Sequence, residues 1–386
     1  MPHTLRRLLP LPALLLFVAS APAPACPFCS MQGQTLAGEV SGADMVLFGS
    51  LTNANDNAQT TDLVIDAVVK KHPVLDDIAK KAGDKKAVTL PKYLPPEVAG
   101  QNKFLVFCNV FKKEIDPYRG MAVPPGSDMV DYLTKVQNLP KEPADRLKFF
   151  FNYLDNSDPE IGMDAFKEFA NASYTDYRAM AKDLPAEKIA GWLRDSSTPG
   201  YRIGLYGSLL GHCGKADDAK LLRSLVEDRV RKLSSGVDGV LAGYTMIDPK
   251  EGWAYIRGVM GDSSKEFLLR YAALRAARFL HDYRPELVKA KDLCDGVSQL
   301  LKQNDIADLA IDDLRKWKCS DMTDQVLNVR STDFYKTTPV VRRAVLRFAL
   351  SFPEIPADSS FVTQQRQADP QGVADVEELL KLEQGK

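Results

Sequence analysis

Sulfur and imidazole are the groups best suited to chemistry in this chain, which carries six cysteines and four histidines. Cys26 and Cys29 bracket Pro27-Phe28, a Cys-Pro-x-Cys spacing suited to reversible dithiol chemistry. That chemistry needs a low-pKa thiolate at a helix N-terminus following a strand, and no strand-like stretch precedes Cys26. Cys26, Cys29 and Met31 also gather soft donors of the kind copper or zinc takes, without a second ligand set. His3 lies in the N-terminal leader, His72 in a connection, His212 at a helix end beside Cys213, and His281 just past a long helix. A histidine in a last helical turn ordinarily serves the C-terminal dipole. No nucleophile elbow, P-loop, dinucleotide fingerprint or His-Glu-x-x-His motif occurs, so the sequence indicates no enzyme, cofactor or resident metal. The paired carboxylates Asp217-Asp218 and Asp312-Asp313 read as solvated helix surface.

The remaining candidates are for binding. Arg270/Arg275/Arg278, Arg342/Arg343/Arg347 and Arg223/Arg229/Arg231 form three arginine clusters that could line one side of a helical array. Ile115–Gly126, IDPYRGMAVPPG, reads as an irregular loop joining aromatic, arginine and proline, the kind of segment that contacts partners. Tyr118, Arg119, Arg270, Arg275 and Arg278 are therefore the candidate partner-binding residues. Trp253 and Tyr255, in DPKEGWAYIRG, read as core.

The elements that position these residues begin after a leader. Arg6 and Arg7, an apolar run from Leu8 to Val18 and then Ala23-Pro24-Ala25 have the form of a secretory signal over residues 1–25. Cleavage there would leave Cys26 first and place the protein outside the cytoplasm. A cysteine at that position also allows a lipid anchor on Cys26, although bacterial lipoprotein signals usually carry Leu where this chain has Ala23. No later run reaches the ~18 apolar residues of a membrane span. A formal charge of −1 with mixed signs argues against nucleic acid as partner, leaving a protein or cell-envelope component.

Oxidising surroundings invite disulfides, and the cysteines divide as Cys26, Cys29 and Cys108 against Cys213, Cys294 and Cys319. Two of the first three are expected to pair, Cys108 with Cys26 or Cys29, leaving the third free, acylated or intermolecular. If the helices of Cys294 and Cys319 meet near Gln303-Asn304, the two cysteines differ by about 9 Å in height. A disulfide tolerates a Cα separation of roughly 7 Å, so this pair is expected to be unbridged.

Residues 26–138 hold β-rich runs at Met45–Leu51, Thr60–Val69, Ala87–Leu90 and Lys103–Phe111, with a polar turn cluster at 52–57. Lys80–Lys86 and Lys92–Asn102 read as exposed connections, Ser127–Gln137 as a closing helix, and 139–143 as a linker. Cysteines near the start, then ADMVLFGSL, VIDAVVKKHPVL and KFLVFCNVF, resemble the netrin-type OB barrel of tissue inhibitors of metalloproteinases. The resemblance implies a small β barrel and, for the inhibitors, an N-terminal Cys chelating a protease's zinc, a role only Cys26 could take. The Cys-x-x-Cys spacing and the missing six-cysteine framework depart from that family.

From residue 144 to 352 the chain repeats itself. Asp158-Pro159, Thr198-Pro199, Asp262-Ser263-Ser264, Asn304-Asp305 and Thr338-Pro339 read as helix starts. Small residues recur at Gly204, Ala272, Ala310 and Ala344, spaced 68, 38 and 34. Since 68 is twice 34, a further copy is expected near Gly236–Met246. The arginines Arg202, Arg270 and Arg342 each precede a small residue by two, with Asp195, Asp262 and Asp305 as possible partners. A period of about 34 to 40 residues with two helices per unit is the mark of an α-solenoid, and the pattern resembles the HEAT-repeat family. The expected fold is mainly α: five or six HEAT-like helix pairs, centred on a largely buried helix at Lys265–Leu280, preceded by the β-barrel module. The tail from 353 to 386, rich in Pro, Asp, Ser and Gln, reads as mostly disordered, with Val373–Leu382 able to form a short amphipathic helix.

Overall fold

A computed structural model describes residues 26–29, 31–77, 87–94, 103–228 and 235–383. The leader over residues 1–25, Lys80–Lys86, most of Lys92–Asn102, Arg229 and Arg231 lie outside them. Five strands, β1 (Met45–Asn55), β2 (Thr60–Lys70), β3 (Ala87–Leu90), β4 (Lys103–Phe111) and β5 (Glu114–Val123), form one antiparallel sheet in the order β3-β2-β1-β4-β5. Alternation gives it two apolar faces. Val46, Val69, Leu105, Phe107 and Val123 pack toward α1 (Leu36–Gly42) and α2 (Met129–Val136), within the main core. Leu47, Leu51, Leu63, Val88, Leu90, Phe104 and Val106 make a second, smaller core on the other face. The sheet curls so that β3 approaches β5, yet the two do not pair and the sheet stays open.

The segment Ile115–Gly126 is not an irregular loop, because most of it is β5, paired with β4 from Glu114 to Val123. Ile115 and Val123 are buried. Pro117, which made the stretch read as a loop, sits on an edge strand beside a register shift at Phe107/Cys108, where a missing N–H leaves no ladder bond unmade. Lys112 and Lys113 turn the hairpin with φ of 51° and 69°, matching the strand twist. Lys70 closes the module: its ammonium donates to the carbonyls of Val40, Ser41 and Ala43 at 3.0, 2.8 and 2.6 Å, satisfying the open end of α1.

The rest of the described chain is helical: α3 (Pro143–Phe151), α4 (Pro159–Asn171), α5 (Tyr174–Ala181), α6 (Ala186–Arg194), α7 (Gly200–Cys213), α8 (Ala216–Glu227), α9 (Val237–Ile247), α10 (Pro249–Gly261), α11 (Phe267–Tyr283), α12 (Ala290–Val297), α13 (Ala307–Lys316), α14 (Thr323–Asn328), α15 (Asp333–Thr337), α16 (Pro339–Leu350), α17 (Pro356–Ala368) and α18 (Pro370–Glu383). Asp158 caps α4 through Glu160 N at 2.9 Å, and proline opens α4, α10 and α16. The stretch Gly236–Met246, where a further copy is expected, holds the helix α9, buried at every position from Asp238 to Met246. It packs on α7 on one side and α11 on the other. Glycine makes that possible: a Cβ on Gly239 would lie 2.6 Å from Gly204 Cα, and one on Gly211 would lie 2.6 Å from Gly243 Cα. The backbones of α7 and α9 therefore touch where side chains would normally intervene.

Two expectations fail here. Cys294 and Cys319 are bridged, with Cα atoms 6.1 Å apart. A continuous helix through Cys319 would hold the two cysteines at different heights. Instead α13 ends at Lys316, and Lys318 at φ 59° turns the chain back toward α12. Residues 353–383 of the tail, expected to be mostly without structure, are largely helical. Phe361, Val373, Val376 and Leu380 are buried, and α17 and α18 pack on α16 and on each other. At its end Glu383 accepts from Arg315 at 2.9 Å and also pairs with Arg347.

Candidate functional site

The first described residues lie under the helices. Cys26 and Cys29 are joined to each other, with Cα atoms 5.5 Å apart, so the bond expected between Cys108 and one of them does not form. The short loop is buried: Cys26 is 3%, Phe28 5% and Cys29 9% exposed. Cys26 N donates to Ala170 O of α4 at 3.3 Å, Arg275 Nη2 of α11 donates to Pro27 O at 3.3 Å, and Phe28 packs on Phe279 with ring centroids 4.6 Å apart. A Cβ on Gly204 would meet Phe28 O at 3.0 Å, so the glycine of α7 also makes room for this loop. Gly33 and Asn171 then exchange two hydrogen bonds, 3.2 and 2.9 Å. Residues 26–29 and 31–37 form a strap along α4 that reaches α7 and α11.

The strap ends on a buried carboxylate. Asp164 of α4 accepts from Leu36 N, from Ala37 N at 3.3 Å and from the Tyr132 hydroxyl at 2.7 Å. These donors fix α1 and α2, and hence the sheet, to the first helices. Burial pushes the Asp164 carboxyl up to about 6 despite them, with the nearby Glu168 charge adding to the rise. Glu168 is likewise raised by burial, against a hydrogen bond from Thr35 and the nearby charge of Arg146.

The unpaired cysteines are poor nucleophiles. Cys108 is fully buried on β4, and burial, with Asp116 nearby, pushes its thiol up to about 12. Burial also raises Cys213, to about 11. Since the thiolate is the reactive form, neither is activated. His212 points into α5, with Nε2 3.3 Å from the Tyr174 hydroxyl, while the Tyr177 hydroxyl lies 2.9 Å from Ser208 Oγ. Burial and the charges of Arg284 and Arg178 push His212 down to about 4, so the imidazole is neutral and acts as a tie between α5 and α7. This polar knot escapes the sequence because its members are spread from 174 to 212 without a motif. Among the described residues no group of three His, Cys, Asp or Glu side chains could hold a metal ion.

The three arginines of α11 are committed to the fold. Arg270 donates to Asp305 through two nitrogens, at 2.9 and 2.7 Å, and to Gln303 Oε1 at 2.7 Å. Arg278 Nε reaches both oxygens of Asp313, at 3.0 and 2.8 Å. Arg275 pairs with Asp238 of α9 at 2.8 Å while holding the strap. Asp313 is thus buried, whereas the sequence places it on solvated surface. On the sheet, Tyr118 is 43% exposed and Phe111, at the hairpin tip, 67%. Arg119 crosses from β5 to pair with Glu39 of α1, its guanidinium 5.6 Å from the Phe107 ring centroid.

Two hollows accompany these groups. An open polar groove of about 560 Å³ runs between α14 and α17, beside Arg330, whose guanidinium lies 4.8 Å over the Phe361 ring. A smaller apolar cleft of about 170 Å³ lies in the seam between β3 and β5.

No protein-family model matches the chain, and neither does any curated protein or solved structure.

Proposed function

We propose that the chain is a secreted, non-enzymatic interaction protein, in which a HEAT-like α-solenoid carries a small OB-like module and offers it to a protein or cell-envelope partner. What supports this most is the use to which the polar groups are put. Asp164, Asp305, Asp313, Glu39 and the α11 arginines each tie one element to another, which is the work of a frame. Two disulfides suit an extracytoplasmic compartment, and no helix among the described residues is long and apolar enough to cross a membrane.

The arginine stripe is a weaker binding surface than the sheet. Arg270 and Arg278 are consumed by carboxylates, and the strap already occupies the ground beside Arg275. Tyr118, with Phe111 on the same hairpin, leaves aromatic surface exposed on a rigid strand pair, the residue type that dominates binding energy at interfaces. An inhibitor or metal-chelating role through Cys26 is the alternative reading; the burial of Cys26 and the hydrogen bond from its N–H to Ala170 O weigh against it.

A photo-crosslinking residue placed at Tyr118, and separately at the exposed Lys250 on α10, tests this in the producing cell. A discrete adduct from position 118 and none from 250 is the expected result. Equal labelling, or turnover of a substrate that depends on this chain's own side chains, overturns it.

A further inference from the structure

We propose that the seam between β3 and β5 is a binding site for a small aromatic carboxylate, the ring entering the apolar cleft and the carboxylate meeting Lys92. This is a small-molecule site, independent of whether Tyr118 meets a partner.

The cleft is walled by Leu51, Leu90, Leu94, Phe104, Val106 and Pro117, at about 170 Å³. A cavity of about 150 Å³ lined by Leu, Ile and Phe stays dry and accepts a benzene ring, so the size and lining suit a phenyl group. Leu51, Leu90, Phe104 and Val106 belong to the smaller core and Leu94 packs against it, where the curled sheet stops short of closing, and β3 and β5 form the two lips.

Gly120 is the second observation. It stands on β5 opposite Val106, so its missing side chain is on the inner face, and a Cβ there would meet nothing within 4 Å. Neither its dihedrals nor crowding requires glycine. A larger residue would favour the strand and fill the seam, whereas a glycine keeps it open for a close approach.

The sign of the ligand comes from the rim. Lys92 lines the cleft, is exposed, and makes no side-chain hydrogen bond or ion pair among the described residues. Arg119 also lines the seam, but its guanidinium is engaged with Glu39 beyond the opposite face. Apolar walls with one convergent charge set both orientation and charge type: the ring goes inward and the anion stays at the mouth.

The probe is 3-phenylpropanoate, titrated calorimetrically into the purified protein, with neutral 3-phenylpropanol and ring-less propanoate as comparators. A ligand of this size binds with Kd on the order of 1 mM. Lys92→Gln is expected to weaken 3-phenylpropanoate about threefold, the scale of one exposed ion pair, and to leave 3-phenylpropanol unchanged. Gly120→Leu is expected to weaken both more than about tenfold by filling the cleft, with far-UV circular dichroism and unfolding midpoint retained. Propanoate is expected not to bind.

Absence of saturable binding at about 10 mM, undiminished binding in Gly120→Leu, or equal loss of charged and neutral ligands in Lys92→Gln overturns the proposal. Because Lys92 is a surface residue, its variant decides the matter even if Gly120→Leu does not fold.

Discussion

Replacing Gly239 with alanine isolates the close approach of α7 and α9. In an ordinary helix, Gly→Ala stabilises by about 0.8–1.0 kcal/mol, because alanine loses less backbone entropy. At Gly239 the new methyl would lie 2.6 Å from both Gly204 Cα and Gly204 C, and closer still to the Gly204 carbonyl oxygen. All three atoms are backbone, so no rotamer change relieves the overlap. Restoring an ordinary contact requires the helices to part by roughly 1 Å along a fully buried interface, and overpacking of that kind costs about 1–3 kcal/mol or more. Disturbance of Phe28 against Gly204 adds to it. The expected net effect is about 2 kcal/mol of destabilisation, which reverses the propensity sign. Gly258, on α10, is the internal control, since a Cβ there meets nothing within 4 Å; Gly258→Ala should stabilise by about 0.5–1 kcal/mol. Urea unfolding followed by circular dichroism reads both variants against the parent. Should Gly239→Ala match or exceed the parent in stability, the reasoning about α7 and α9 is refuted.

Three further outcomes follow from buried groups. Asp164 has a folded-state pKa of about 6, above its unfolded value, so proton uptake favours the folded state. Its contribution should improve as pH falls from 7.5 through 6 toward 4, and level off below the unfolded pKa. Relative to Asp164→Asn, the parent should gain about 2 kcal/mol between pH 7.5 and 4.5 in urea titrations; a flat difference rejects this. Replacing Cys294 and Cys319 by serine opens a loop spanning 25 positions and should cost about 3 kcal/mol on the chain-entropy account, read as a lower urea midpoint; an unchanged midpoint rejects this. Cys108 and Cys213, their thiols pushed up to about 12 and about 11, should resist iodoacetamide at pH 8 in the native protein and label once it is unfolded, as mass spectrometry would show.

Local signals carried much of this architecture. The Asp158-Pro159 and Thr338-Pro339 dipeptides announce α4 and α16 because cap and proline act within one turn. A helix at Gly236–Met246 is legible from the apolar, Gly-rich run between Gly204 and Ala272, and α9 lies there. The pairing of Arg270 with Asp305 was also within reach, as both lie in recurring slots. What stayed hidden depends on distant or single-residue geometry. One left-handed residue, Lys318, brings Cys319 back to Cys294, and nothing in its own side chain announces that conformation. β5 was masked by Pro117, harmless only because the strand is an edge. A short amphipathic helix at Val373–Leu382 is legible, but its docking, with Val373, Val376 and Leu380 buried and α18 packed on α16, is not, since the pattern fits a cap and a solvated helix alike. The partners of Cys26 to Gly33, and the seam at Gly120, have no counterpart in local pattern.

The strap along α4 also sets an order of events. Its residues enter the growing chain ahead of everything they hold: Asn171 lies 138 positions beyond Gly33, and Arg275 lies 248 positions beyond Pro27. Contacts so far apart close late, because the intervening polypeptide must first be drawn together. The leading segment must therefore wait, exposed, until the middle of the helical region has been made. A pull on that same end would load α4, α7 and α11 before it strained the sheet, so the molecule would resist traction from the front through its centre.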